Sequence, residues 1–147
     1  MKKILIILYC IFLVCDIYSF EFALGLGWPY ISLKYEFLKK FALETKAATF
    51  EGIDVFSLRG YWNFNRYKKL KNFLGTEAGY ITFDTLGLTG NGYEFGLFVG
   101  SEYFVMKNLS IFCDLSSVFI SLSHRKLEVN SIEFVVNLAL YWYFYSK

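Results

Sequence analysis

The sequence predicts an all-β chain, an eight-stranded antiparallel up-and-down transmembrane β-barrel, and three observations carry that prediction. Beyond the first nineteen residues, apolar side chains recur at every second position, with turn signals between the runs and no convincing helical periodicity. Hydrophobic residues make up 56% of the 147 positions and aromatics 22%, against 19% charged. The apolar faces are uniformly large and end in aromatics, whereas the opposite faces mix charge with glycine and tyrosine. In a strand the two faces point in opposite directions, so everything turns on which one is outside.

Length and composition bound the alternatives. The chain has room for one domain. So many aromatics and so few charges exclude a disordered chain, and a formal charge of +2 gives no pull toward nucleic acid. Met1 to Ser19 reads as a secretory signal peptide: Lys2 and Lys3 precede the apolar run Ile4 to Val14, and Ser19 offers a small residue before Phe20. That run is short for a membrane-spanning helix. Val14 before Cys15 argues against a lipid anchor, which wants a small residue there. Cys10 and Cys15 belong to the signal segment, so the barrel, residues 20–147, keeps only Cys113. No internal disulfide, thiolate metal site or cofactor is expected from it.

The strands follow in order. Phe20, Phe22, Leu24, Leu26 and Trp28 alternate with Glu21, Ala23, Gly25 and Gly27 until Trp28-Pro29 interrupts. Ile31, Leu33, Tyr35 and Phe37 then alternate with Ser32, Lys34 and Glu36 as far as Lys39-Lys40. The third run, Phe41 to Thr49, interleaves Ala42, Glu44, Lys46 and Ala48 and ends at Glu51-Gly52. The fourth, Ile53 to Phe64, sets Phe56, Leu58, Trp62 and Phe64 against Ser57, Arg59, Tyr61 and Asn63, and gives way to the polar segment Asn65 to Lys71. The fifth, Asn72 to Asp84, places Glu77 between Gly75 and Gly79; a glycine-rich segment, Gly87 to Gly92, follows. The sixth, Tyr93 to Met106, sets Phe95, Leu97, Val99 and Tyr103 against Glu94, Gly96, Gly100 and Glu102, and Lys107-Asn108 is a hairpin-sized turn. The seventh, Leu109 to Ser123, sets Ile111, Cys113 and Leu115 against Ser110, Asp114 and Ser116, and His124 to Asn130 reads as a polar loop. The last, Ser131 to Tyr145, closes the series with Ile132, Phe134, Val136, Leu138, Leu140, Trp142 and Phe144 on one face and Glu133, Asn137, Tyr141 and Tyr143 on the other.

Aromatic-ended apolar strands suit the two headgroup levels of a bilayer, and small residues suit a crowded interior better than an open surface. In lipid every backbone polar group must be paired, which a sheet achieves by closing on itself. A barrel of this strand number is filled by its own side chains and is plugged. The inward set then holds a charge network of Arg59, Glu77, Lys34, Lys46, Glu36, Glu44, Glu102, Asp114 and Glu133, with Glu21 and Glu94 on the same faces. Enclosed charges must be paired or hydrated, and Arg59, Lys34 and Lys46 are the cations available to pair them. The competing reading is a soluble periplasmic lipocalin-like barrel that turns its apolar faces inward around a small apolar ligand.

Catalytic signals are weak. His124, the only histidine, sits beside Arg125 and Lys126 with Ser121 and Ser123 nearby, and no carboxylate is placed to orient it. The glycines of Gly87 to Gly92 lack the lysine and helix of a phosphate loop. No metal-ligand spacing is present, and no enzyme activity is expected.

The alternating strands, the segments Gly92–Phe104 and Val135–Phe144 and the aromatic last strand resemble the small bacterial outer-membrane β-barrel superfamily that includes the OmpA membrane domain and OmpX. The resemblance implies a monomer in outer-membrane lipid, inserted by the barrel-assembly machinery. By it, Lys39-Lys40, Asn65 to Lys71 and Lys107-Asn108 face the periplasm, while Trp28-Pro29-Tyr30, Glu51-Gly52, Asp84 to Gly92 and His124 to Asn130 face outward. Two departures stand out: the outward loops are short, and Ser146 and Lys147 follow Tyr145 where such proteins commonly end on an aromatic.

Overall fold

The computed structural model describes residues 21–38, 40–85, 88–124 and 127–145. The segment read as a signal peptide lies outside the described residues, as do Lys39, Gly87, Arg125, Lys126, Ser146 and Lys147.

The eight strands are β1 (Glu21–Gly27), β2 (Tyr30–Leu38), β3 (Phe41–Phe50), β4 (Ile53–Tyr67), β5 (Leu70–Thr85), β6 (Leu88–Phe104), β7 (Leu109–His124) and β8 (Leu127–Tyr145). Each pairs antiparallel with its sequence neighbours, and β8 returns to β1, so the sheet is a closed barrel. Closure requires a stagger, and the register shows it. A walk from Glu21 through Glu36, Ala42, Tyr61, Gly75, Phe98 and Ser116 arrives at Val135, ten residues from Tyr145, which is Glu21's own partner on β8. That offset tilts the strands and keeps the bore narrow.

The faces sort as an inversion of a soluble protein. Phe134 is 77% exposed and Leu138 61%, while Arg59 and Lys34 are wholly buried. The apolar interior that a lipocalin-like ligand would need is instead occupied by charge. Tight places follow from the narrow bore: a Cβ on Gly75 would strike the Gly60 carbonyl and the Phe98 ring, and one on Gly100 would strike the Cys113 carbonyl.

Three boundaries differ from those read from composition, for one physical reason. The polar segment Asn65 to Lys71 is mostly strand; only Lys68-Lys69 turn, with Lys68 at φ 52°, and the ladder continues as Asn65↔Asn72, Arg66↔Lys71 and Tyr67↔Leu70 past a bulge at Asn63/Asn65. Likewise the described residues of Asp84–Gly92 and His124–Asn130 belong to the ends of long hairpins, paired as far as Thr85↔Leu88 and His124↔Leu127. Polar residues end the apolar alternation, but a ladder needs only paired backbone, so it goes on to the turn.

The rim is uneven as a result. The strands range from 7 residues in β1 to 19 in β8. Pairing of β8 with β1 stops at Gly27↔Ala139, so Leu127–Leu138 has a strand only on its β7 side among the described residues.

Candidate functional site

The buried charges gather into two groups separated by rings. The first lies near the end where β1 begins and β8 finishes. Lys34 of β2 donates to Glu102 of β6 at 2.9 Å, and Lys71 of β5 stands 3.1 Å from the same oxygen. Lys71 also pairs with Glu36, whose Oε1 is 3.7 Å from Lys34. The Tyr143 and Ser110 hydroxyls each donate to the other Glu102 oxygen at 2.5 Å. Two cations thus meet two carboxylates, tying together β2, β5, β6, β7 and β8.

The second group centres on Arg59 of β4. Its Nη2 donates to Asp114 of β7 at 2.8 Å; Nε lies 3.2 Å from Glu77 of β5 and Nη1 3.8 Å from Glu44 of β3. The last two are ion-pair contacts without hydrogen-bond alignment. Lys46 pairs with Glu77, which also accepts from Ser57 at 2.7 Å. Here three carboxylates face two cations, and neutral donors meet the surplus: Tyr61 and Tyr141 donate to Glu44, and Ser116 and Asn137 donate to Asp114 at 2.8 Å. Satisfying each lone pair is what makes such burial tolerable.

Between the groups lie Tyr61, Phe73, Phe98, Phe112 and Tyr141. Phe73 and Phe112 stack at 4.8 Å, and Tyr61 meets Phe98 at 4.9 Å. Each ionic group rests a cation against this cluster. Lys34 lies 4.8 Å from the centre of the Tyr61 ring, and the Arg59 guanidinium 3.9 Å from that of Phe98.

Of the residues expected in the interior network, Arg59, Glu77, Lys34, Lys46, Glu36, Glu44, Glu102 and Asp114 converge in these two groups. Glu133 does not. It has the inward phase, but β8 has climbed past the rim there, and the side chain is exposed beside Ser131 at 3.4 Å. Glu21 and Glu94 are half-buried and form no ion pair with the groups described. Lys71, which the sequence assigns to the polar segment Asn65 to Lys71 and not to the interior, is a further member. The signal was phase: Lys71 continues the inward face of Phe73, Gly75 and Glu77 by two residues.

His124 places Nδ1 2.5 Å from the Thr89 carbonyl, a backbone contact that fixes a hairpin end. Among the described residues no cluster of three or more metal-ligating side chains occurs. No helix is long and apolar enough to cross a membrane, which says nothing of a barrel.

No family model matches the chain, and no curated protein matches it. Among solved structures, it is similar to Neisserial surface protein A, at 14% identity and a TM-score of 0.56 over 84% of this chain and 92% of that one. It is also similar to the N-terminal β-barrel domain of OprF from Pseudomonas aeruginosa, at 12% identity and a TM-score of 0.53 over 86% and 96%. At such identities the likeness is one of fold. The chain has the eight-stranded architecture of small outer-membrane barrels.

Proposed function

We propose that this chain is a bacterial outer-membrane barrel, monomeric and non-enzymatic, with a structural or surface-interaction role and an interior plugged by its own side chains. The observation that carries the reading is Arg59, wholly buried and within reach of carboxylates on β3, β5 and β7 at once. A solute crossing the bore would have to break those contacts without offering replacements. The exposed apolar face supports a lipid surround, and the short connections between strands support modest surface contact rather than a large receptor site. Insertion by the barrel-assembly machinery accompanies this reading.

Two measurements test it. The purified protein is expected to migrate differently on a gel before and after boiling, and to show no steady conductance in a planar bilayer. Monodisperse behaviour in plain buffer would remove the membrane, and a stable open channel would remove the plug. For the absence of enzyme activity, the expected outcome of His124→Ala is an unchanged lipid profile.

A further inference from the structure

Beyond Gly27 the barrel wall has a gap. Pairing of β8 with β1 ends at Gly27↔Ala139, where Trp28-Pro29 lead the chain into β2, while the pairing of β8 with β7 runs on to His124↔Leu127. Leu127–Leu138 is therefore an open edge among the described residues. Every second residue along such an edge turns both its N–H and its C=O toward the missing neighbour. Native sheets seldom leave so long an edge bare in water, and beside lipid an unpaired backbone is costlier still.

The side chains of this edge describe what would cover it. On the outward face Ile132, Phe134 and Val136 are 65–77% exposed, against 45–55% for Leu140, Trp142 and Phe144, which β1 flanks. On the other face Glu133 stands opposite Val118 of β7 and accepts from the Ser131 hydroxyl at 3.4 Å. No ion pair among the described residues engages it. The nearest basic residues in the sequence, Arg125 and Lys126, fall beyond the end of the edge at Leu127. Self-pairing centred on this edge brings two Glu133 carboxylates opposite or diagonal to one another, so a second copy is disfavoured.

A strand laid here would continue the outer apolar face and meet a carboxylate on the inner one. We propose that Leu127–Leu138 is completed by an extended segment of another protein, antiparallel to β8 along the line that β1 leaves. That segment carries apolar residues on its outward face and a cation on its inward face opposite Glu133. Backbone pairing supplies the affinity, and the alternation of side chains supplies the choice of partner. The inference rests on the membrane reading given above and gives its surface-interaction role a class of partner.

The full barrel in phosphatidylcholine nanodiscs tests this with labelled peptides of about ten residues, read by fluorescence anisotropy against empty discs. A peptide of alternating lysine and valine is expected to bind saturably, and one of alternating glutamate and valine roughly fivefold more weakly. The lysine–valine peptide N-methylated throughout keeps its side chains but cannot donate to a ladder, and should not bind. In Glu133→Lys, a change at an exposed position, the order of the first two peptides should reverse. Binding undiminished by N-methylation, an unchanged order in Glu133→Lys, or no binding above empty discs would overturn the proposal. Barrel dimers that exclude the peptide would also overturn it, and would give the edge to a second copy. Heat-shifted migration reports separately on the barrel: its loss in the unmodified chain would sink the membrane reading and this inference together, while its persistence without peptide binding would sink only the inference.

Discussion

Arg59 sits where three carboxylates would otherwise face one another without a countercharge. Removing one partner of a buried ionic cluster leaves the rest uncompensated, so Arg59→Met should cost about 3–5 kcal/mol in urea unfolding followed by tryptophan fluorescence. Adding Asp114→Asn removes one orphaned charge while Asn137 and Ser116 stay in place, and should recover about 1 kcal/mol or more. Additive losses would show that the two residues do not share a site. Lys71 and Lys68 make a second contrast. The first is 1% exposed between Glu36 and Glu102, and the second is exposed at a turn. Lys71→Met should therefore cost about 3 kcal/mol, and Lys68→Met within about 0.5. At this scale the sequence was legible through parity. Phase put Arg59, Glu77 and Asp114 on inward faces, but phase carries no height, which is why Glu133 was read inward and lies exposed. It also names no partner, because partners come from strands as distant as β2 and β6.

The strands themselves read clearly wherever the apolar alternation ran, and poorly where it faded into polar residues. Composition changes at the edge of the apolar band, whereas the ladder ends only at the turn, so composition alone marks Asn65–Lys71 and His124–Asn130 as loops. Leu138 and Val129 of β8 test this separation. Both are equally open, at 61% and 62% exposed, but Leu138 faces outward beside Cys113 in the barrel wall, whereas Val129 lies on the inward-phase face beside Leu122 near the tip, where β8 has passed the rim. Leu138→Arg should cost about 2–4 kcal/mol, and Val129→Arg about 0–1 kcal/mol, measured by unfolding from vesicles. Equal costs would mean that the long hairpin does not rise out of the apolar band. Packing between elements sets another limit. At Gly75 the first atom a side chain meets is the backbone oxygen of Gly60 on the adjoining strand, which cannot step aside. Gly75→Leu should destabilise by about 3 kcal/mol, the upper range for overpacking, and lower the yield of the heat-shifted form.

For the molecule as a whole, closure and inversion, with the plugging proposed for the bore, are one solution to one constraint. A sheet in lipid must pair its edges, so it closes; once closed at this strand number, its bore holds side chains and little else. Those side chains are polar because the apolar ones are needed outside, and they come in compensating groups because unpaired charge is not tolerated there. Cys113, the one free cysteine among the described residues, is exposed on the outer wall beside Leu138 and reports most directly on the inversion. In intact vesicles it should resist a polar thiol reagent and react fully once the protein is unfolded by boiling in detergent. Ready reaction in the intact bilayer would place that wall in water and contradict the inversion.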